Sequence, residues 1–315
     1  MRIVTLGGGT GQAQLLRGLA ALGADVTAIA GVTDNGGHSG RLRKQFGIPA
    51  VGDLRACIAA LADSNNGLGR ALSFRFTAGD LEGASLGNLV LAGLTISEGS
   101  LTAAAEKLAA LTRLRGRALP VSEGASQVAA RLMSGKSIRG EWEIIRRSPR
   151  TRIAEIFHDP PIAATPDALR EIRRADLVVL GPGSLRTAIV SVLLAGGVKE
   201  ALRKRRVAFV LNILTQAGQT DGFSAADHVE EISRYLGKVP EEIIANTKRP
   251  PEWALQGAEF VDPVGLDGVH ADLLEPVKRV DLKRRARPSR FVAGPHLVRH
   301  DATRLARVIL GLARR

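Results

Sequence analysis

Cysteine, aromatic residues and long apolar runs are all scarce in this chain of 315 residues. A single cysteine, Cys57, excludes an internal disulfide and a thiolate metal cluster. Its setting, Leu54-Arg55-Ala56-Cys57-Ile58-Ala59, suits buried helical packing better than reactivity. Gly, Lys, Arg or Asp interrupts every apolar stretch before the roughly eighteen residues that a spanning helix requires, so no membrane span is expected. No leader with an apolar core and cleavage site precedes the run Arg2 to Leu6, and the expected location is therefore cytoplasmic.

Aromatic residues make up 3% of the chain, and none interleaves its two basic clusters, Arg203-Lys204-Arg205-Arg206 and the stretch holding Lys278, Arg279, Lys283, Arg284, Arg285, Arg287 and Arg290. Without a stacking platform these clusters read as solvated basic faces rather than a nucleic-acid surface. The net charge of +13 still favours anionic ligands.

What is present is glycine, 35 residues of it, set between short β-branched runs and Ala/Leu-rich helical runs. That alternation predicts an α/β fold with a doubly wound, mostly parallel sheet of Rossmann-like type. Strands are expected at 2–6, 26–32, 176–180 and 207–213, and helices at 11–22, 53–62, 86–96, 101–111, 165–174, 224–235 and 301–313, the last with Asp301 as N-cap. Between about 117 and 157 the texture changes to a small β-rich excursion, with a hairpin of 128–133 and 137–144 around Ser134-Gly135-Lys136. No repeat or low-complexity linker divides the chain, so one domain spanning 1–315 is expected.

The chemistry-bearing residues gather in loops that follow strands, and a parallel sheet brings such loops to one edge. Gly7-Gly8-Gly9-Thr10-Gly11 lies where bare backbone N–H groups can approach a phosphate, although Gln12 stands at the third glycine position of the dinucleotide pattern. The alternative is a tight turn with no ligand. The loop Thr33 to Arg43 packs Asp34, Asn35, His38, Ser39, Arg41 and Arg43 together. Asp34 can hold a ribose, orient a water or ligate a divalent ion, and Arg41 and Arg43 can clamp phosphate oxygens; equally, Asp34 and Asn35 can simply cap the turn. Asp53 opens a helix as cap or ligand, Asn88 starts another, and Gly181-Pro182-Gly183-Ser184 is a second candidate anion cradle. Asn212, Thr215, Gln216 and Asp221 form a polar run after a strand.

Taken together these motifs resemble the gluconeogenesis factors (YvcK-like) of the 2-phospho-L-lactate transferase (CofD-like) superfamily, over residues 3 to about 311. The resemblance implies a Rossmann-like fold that binds UDP-sugars such as UDP-N-acetylglucosamine and supports carbon metabolism, cell-wall synthesis and cell shape. It also implies that Trp253, ahead of Gly257-Ala258, and Arg299 help hold the ligand. Trp253 can stack on uracil or serve as a half-buried hydrophobic residue. In that reading Gly8, Gly9, Thr10 and Gly11 present N–H groups to the diphosphate with Arg43 adding charge, while Asp34, Asn88 and Asn212 satisfy hydroxyls; Ser39, Asp53, Gly183, Ser184, Thr215, Gln216 and Asp221 complete the candidate set. No cofactor is required, and a homo-oligomer is compatible. The superfamily's transferases use magnesium, which Asp34 and Asp53 would hold here. This chain has Asn35 where the family pairs aspartates, His38 for serine, and Ala84 and Leu86 for histidine and phenylalanine. Those departures favour binding over turnover, because glycine cradles survive the loss of an acid and a histidine.

Overall fold

The computed structural model describes residues 1–147, 151–277 and 298–315. Strands β1 (Arg2–Gly7), β2 (Asp25–Ala30) and β3 (Arg117–Pro120) are followed by β4 (Gln127–Leu132), β5 (Ser137–Arg139) and β6 (Ile153–Asp159). After them come β7 (Leu177–Leu180), β8 (Val207–Val210), β9 (Glu242–Asn246) and β10 (Val269–Ala271). Seven strands form one sheet in the order β10-β9-β8-β7-β1-β2-β3, every pairing parallel. All four residues of β7 and of β8 are buried, as expected of strands covered on both faces.

Helices α1 (Gly9–Ala21), α2 (Gly37–Phe46), α3 (Gly52–Leu61), α4 (Gly67–Ala71), α5 (Leu86–Glu98) and α6 (Leu101–Thr112) belong to the first half; α7 (Glu141–Arg146) and α8 (Pro166–Arg174) follow. α1 packs between α3 and the C-terminal helix Ala302–Ala313. Gly18 permits the second contact: a Cβ there would lie 2.1 Å from the Ala302 carbonyl oxygen. On the other face run α8 and a π-helical segment, Leu185–Val190, that continues into Ser191–Leu193.

Several boundaries differ from expectation, each for a tertiary reason. Arg117–Pro120 is not part of the β excursion; it pairs with β2 as the outer strand of the main sheet. The excursion is the antiparallel sheet β5-β4-β6, and Tyr235 Oη, on the helix Ala225–Leu236, accepts from the Ile156 N–H at 2.7 Å to hold it down. The second hairpin arm stops at Arg139, because Gly140 takes the left-handed backbone (φ 103°) and Glu141 and Glu143 suit the positive end of α7. Residues 37–46, expected as loop, form α2. β9 and β10 are not among the expected strands; they extend the sheet beyond β8.

Chain order reverses between β1 and β7. From β1 the chain proceeds outward to β2 and β3, then returns to β7 on the opposite side and proceeds to β8, β9 and β10. The loops leaving β1 and β7 therefore diverge from neighbouring strands, creating a crevice beyond their carboxyl ends, where open α/β sheets bind ligands.

Candidate functional site at the strand-order reversal

The two loops at this crevice are the two glycine motifs, Gly7 to Gly11 and Gly181 to Ser184, and they touch. A Cβ on Gly11 would sit 2.5 Å from the Pro182 carbonyl oxygen, and one on Gly183 would sit 3.1 Å from the Gly8 carbonyl oxygen. Glycine at position 11 is thus demanded by loop-to-loop packing. Asn212 Nδ2 donates to the Gly183 carbonyl at 2.8 Å, and Gln216 Oε1 accepts from the Leu185 N–H at 2.9 Å. Three loops, after β1, β7 and β8, are locked together. Asn212 Oδ1 stays buried with no hydrogen-bond partner among the described residues, an acceptor held beside the glycine crossing. Thr10 is exposed and Ser184 half-buried at its mouth.

The Gly9 N–H, expected to face a phosphate, already donates to Asp53 Oδ1 at 2.8 Å. Gly8 makes room for that carboxylate, since a Cβ there would come within 2.0 Å of Asp53 Oδ2. An internal acid thus occupies an anion seat at the start of α1. Asp34 accepts from the Gly36 N–H at 2.6 Å and lies within electrostatic reach of Glu141, whose Oε1 accepts from Thr187 Oγ1 at 2.8 Å. Burial, followed by the charge of Asp34, pushes the Asp53 carboxyl up to about 7. Burial likewise raises Asp34 and Glu141, the latter also through repulsion from Asp34. Among the described residues, no group of three His, Cys, Asp or Glu side chains is arranged to hold a metal ion.

The remaining candidates divide. Ser39 is buried and its Oγ accepts from the Gly52 N–H at 3.1 Å, steadying the start of α3 beside Asp34. Arg43 donates from Nη1 to the Ser126 carbonyl at 3.2 Å and lies within electrostatic reach of Asp34. Asn88 Oδ1 accepts from Arg55 Nε at 3.1 Å. Thr215 and Asp221 hold their own loop: Thr215 Oγ1 accepts from the Glu259 N–H at 2.9 Å, and Asp221 Oδ2 from the Gly218 N–H at 2.7 Å. Trp253 is 39% exposed on the short helix Glu252–Leu255, on the connection that follows β9, and β9 is three strands from β1 in the sheet. Arg299 precedes the cap of the C-terminal helix and lies within electrostatic reach of Arg17 on α1. His38 Nε2 is 2.8 Å from the Glu82 carbonyl oxygen. Within the first basic cluster, Arg205 binds the Arg173 carbonyl and Arg206 pairs with Glu242; the cluster at 278–290 lies outside the described residues. Glu141 and Thr187 were not anticipated. No local motif marks them, because they reach the crevice from the inserted sheet and from the far side of the reversal.

The family model for 2-phospho-L-lactate transferase CofD matches residues 3–285. A Thermotoga maritima relative is 40% identical over 324 residues, covering all of both chains. The gluconeogenesis factor of Bacillus subtilis is 34% identical over 318 residues, 99% of this chain and 98% of that protein. This chain belongs to the gluconeogenesis-factor family, within the CofD-like superfamily. A solved structure from Bacillus halodurans, a UPF0052 family protein, matches with a TM-score of 0.86 at 30% identity, covering 98% of this chain and 99% of that one. The α/β architecture of this gluconeogenesis-factor chain is therefore shared by a crystal structure of a relative, and no helix among its described residues is long and apolar enough to cross a membrane.

Proposed function

We propose that this gluconeogenesis-factor chain binds a nucleoside diphosphate sugar, of the UDP-N-acetylglucosamine kind, across the carboxyl edge of its sheet. In this reading it is a ligand-sensing regulator linking carbon metabolism to cell-wall synthesis and cell shape. The observation that carries the proposal is the locked meeting of the β1, β7 and β8 loops at the strand-order reversal, with the unpartnered Asn212 Oδ1 beside them. A ligand that touches the glycine loop after β1 and also the connection after β9 that carries Trp253, three strands along the sheet, must be elongated, as a nucleotide sugar is. The diphosphate would approach Gly9 through or beside Asp53. A carboxyl that ionises near 7 can take up a proton and yield that seat without leaving two anions face to face.

The carboxylate cluster favours a second reading, a magnesium-dependent nucleotide-activated transferase. Magnesium is commonly held by one or two carboxylates and completed by substrate phosphates, a role that Asp34 and Asp53 fit. When bound, the ion would neutralise phosphate charge, and Asp34 and Asp53 would hold it.

Thermal denaturation with UDP-N-acetylglucosamine, UDP-glucose, GDP and a deazaflavin, each with and without magnesium, separates the two. A ligand at about a hundred times its dissociation constant stabilises the folded state by about 2.7 kcal/mol. A shift with UDP-sugars and none with GDP or deazaflavin supports the regulator. The reverse pattern replaces it with the transferase.

A further inference from the structure

Helix α7 follows the inserted hairpin in the chain, yet it is held by segments that follow three strands of the main sheet. At its first turn the Asn35 side chain, in the loop after β2, is engaged twice: Oδ1 accepts from the Trp142 N–H at 3.2 Å, and Nδ2 donates to Glu143 Oε2 at 3.0 Å. Glycines on both sides bring the two segments close. A Cβ on Gly36 would lie 2.3 Å from Trp142 Nε1, and one on Gly140 would lie 2.2 Å from Asn35 Nδ2. Glu141 Oε1 accepts at 2.8 Å from the hydroxyl of Thr187, in the π-helical segment after β7. Beyond the last turn, Arg147 donates both to the Ile144 carbonyl at 2.8 Å and to the carbonyl of Gly218, in the loop after β8. A Cβ on Gly218 would meet the Ile145 carbonyl oxygen at 2.4 Å.

β8, β7, β1 and β2 are consecutive in the sheet. Contacts with the segments after β2, β7 and β8 therefore carry α7 across the carboxyl ends of these four strands, over the reversal where the glycine loops cross. Of the two isosteric side chains Asn and Asp, only the amide suits position 35, because the Trp142 N–H needs an acceptor and the Glu143 carboxylate needs a donor. An aspartate there would replace the 3.0 Å donor with a second carboxylate, and like charges at that distance repel. Glu143 thus supplies a physical reason for Asn35 where the family pairs aspartates. The Arg146 guanidinium lies 4.5 Å from the Trp142 ring centroid, so this indole reports on whether α7 is seated.

We infer that Asn35 is a positioning residue of the crevice: its paired hydrogen bonds seat α7, and with it Glu141, as a roof over the strand-order reversal beneath which the ligand is held. Asn35 acts through α7 rather than on the ligand. The ligand part of the inference rests on nucleotide binding in the crevice.

Exchanging the two partners tests it. Asn35→Asp sets two carboxylates together, and the double variant Asn35→Asp, Glu143→Gln restores one donor and one acceptor with their places reversed. In a Trp253→Phe background Trp142 is the remaining one of the chain's two tryptophans. Its emission should shift to the red and become more open to acrylamide quenching in Asn35→Asp, and return in the double variant. With Trp253 intact, calorimetry with UDP-N-acetylglucosamine and with GDP reads the crevice: affinity is expected to fall about fivefold in Asn35→Asp and to recover in the double variant. A contact that only stabilises the fold would lower Tm and leave affinity unchanged. If GDP binds with this dependence and UDP-N-acetylglucosamine does not bind, the inference stands and the nucleotide-sugar reading falls. If UDP-N-acetylglucosamine binds the wild type and both variants alike, the reading stands and the inference falls. An unaltered Trp142 signal in Asn35→Asp, no rescue by the exchange, or a wild type that binds neither nucleotide overturns the inference.

Discussion

Replacing Asp53 with Asn should stabilise the free protein above neutral pH. The folded carboxyl ionises at about 7 against an ordinary 3.8, because burial and the charge of Asp34 both oppose its ionisation. Each unit corresponds to 1.36 kcal/mol, so holding this group charged costs the native state about 4 kcal/mol above pH 7. Asp34 and Glu141 share that repulsion, and interacting neighbours do not contribute additively. About half is recoverable by the single change, roughly 2 kcal/mol, while the introduced amide oxygen still accepts from Gly9. For a chain of this length that is a rise of about 3 °C in Tm. The sign follows from proton binding: between pH 4 and 7 the native state holds a proton that the unfolded chain has released, so wild-type stability declines as pH rises through that range. The advantage of the Asp53→Asn variant should be absent near pH 4, grow to pH 7 and then level off. Differential scanning calorimetry of both proteins from pH 4 to 9 measures it. A constant difference, or a variant less stable at pH 8, would refute the burial-and-repulsion account.

Gly11→Ala should drive its methyl against the Pro182 carbonyl, separating the two glycine loops; we expect overpacking to cost about 1–3 kcal/mol and UDP-N-acetylglucosamine affinity to fall, with Gly67→Ala, whose Cβ meets open space, as a silent control in the same thermal assay. Arg186 and Glu231 form a buried ion pair at 2.6 Å, and Arg186 also donates to the Gln219 carbonyl, tying the helix after β7 to the polar loop after β8. Arg186→Met should destabilise by about 3–5 kcal/mol in urea titration, and the double variant Arg186→Met, Glu231→Leu should recover much of that loss, because the stranded charge is gone.

The local grammar of this protein was legible in its residues. Asp301 caps the C-terminal helix through the Arg304 N–H at 2.9 Å, as its position before an amphipathic run implies. The β/α alternation and the glycine loops at strand ends depend on residues a few positions apart, so they too were readable. The tertiary structure alone decided that β3 belongs to the main sheet, that Glu141 and Thr187 reach the crevice, and that the Gly9 amide is claimed by Asp53, 44 residues away. Backbone preferences act over one or two turns of chain. Desolvation and Coulomb repulsion depend on distances in space, which exist only once the strand order has reversed and brought distant loops to one edge.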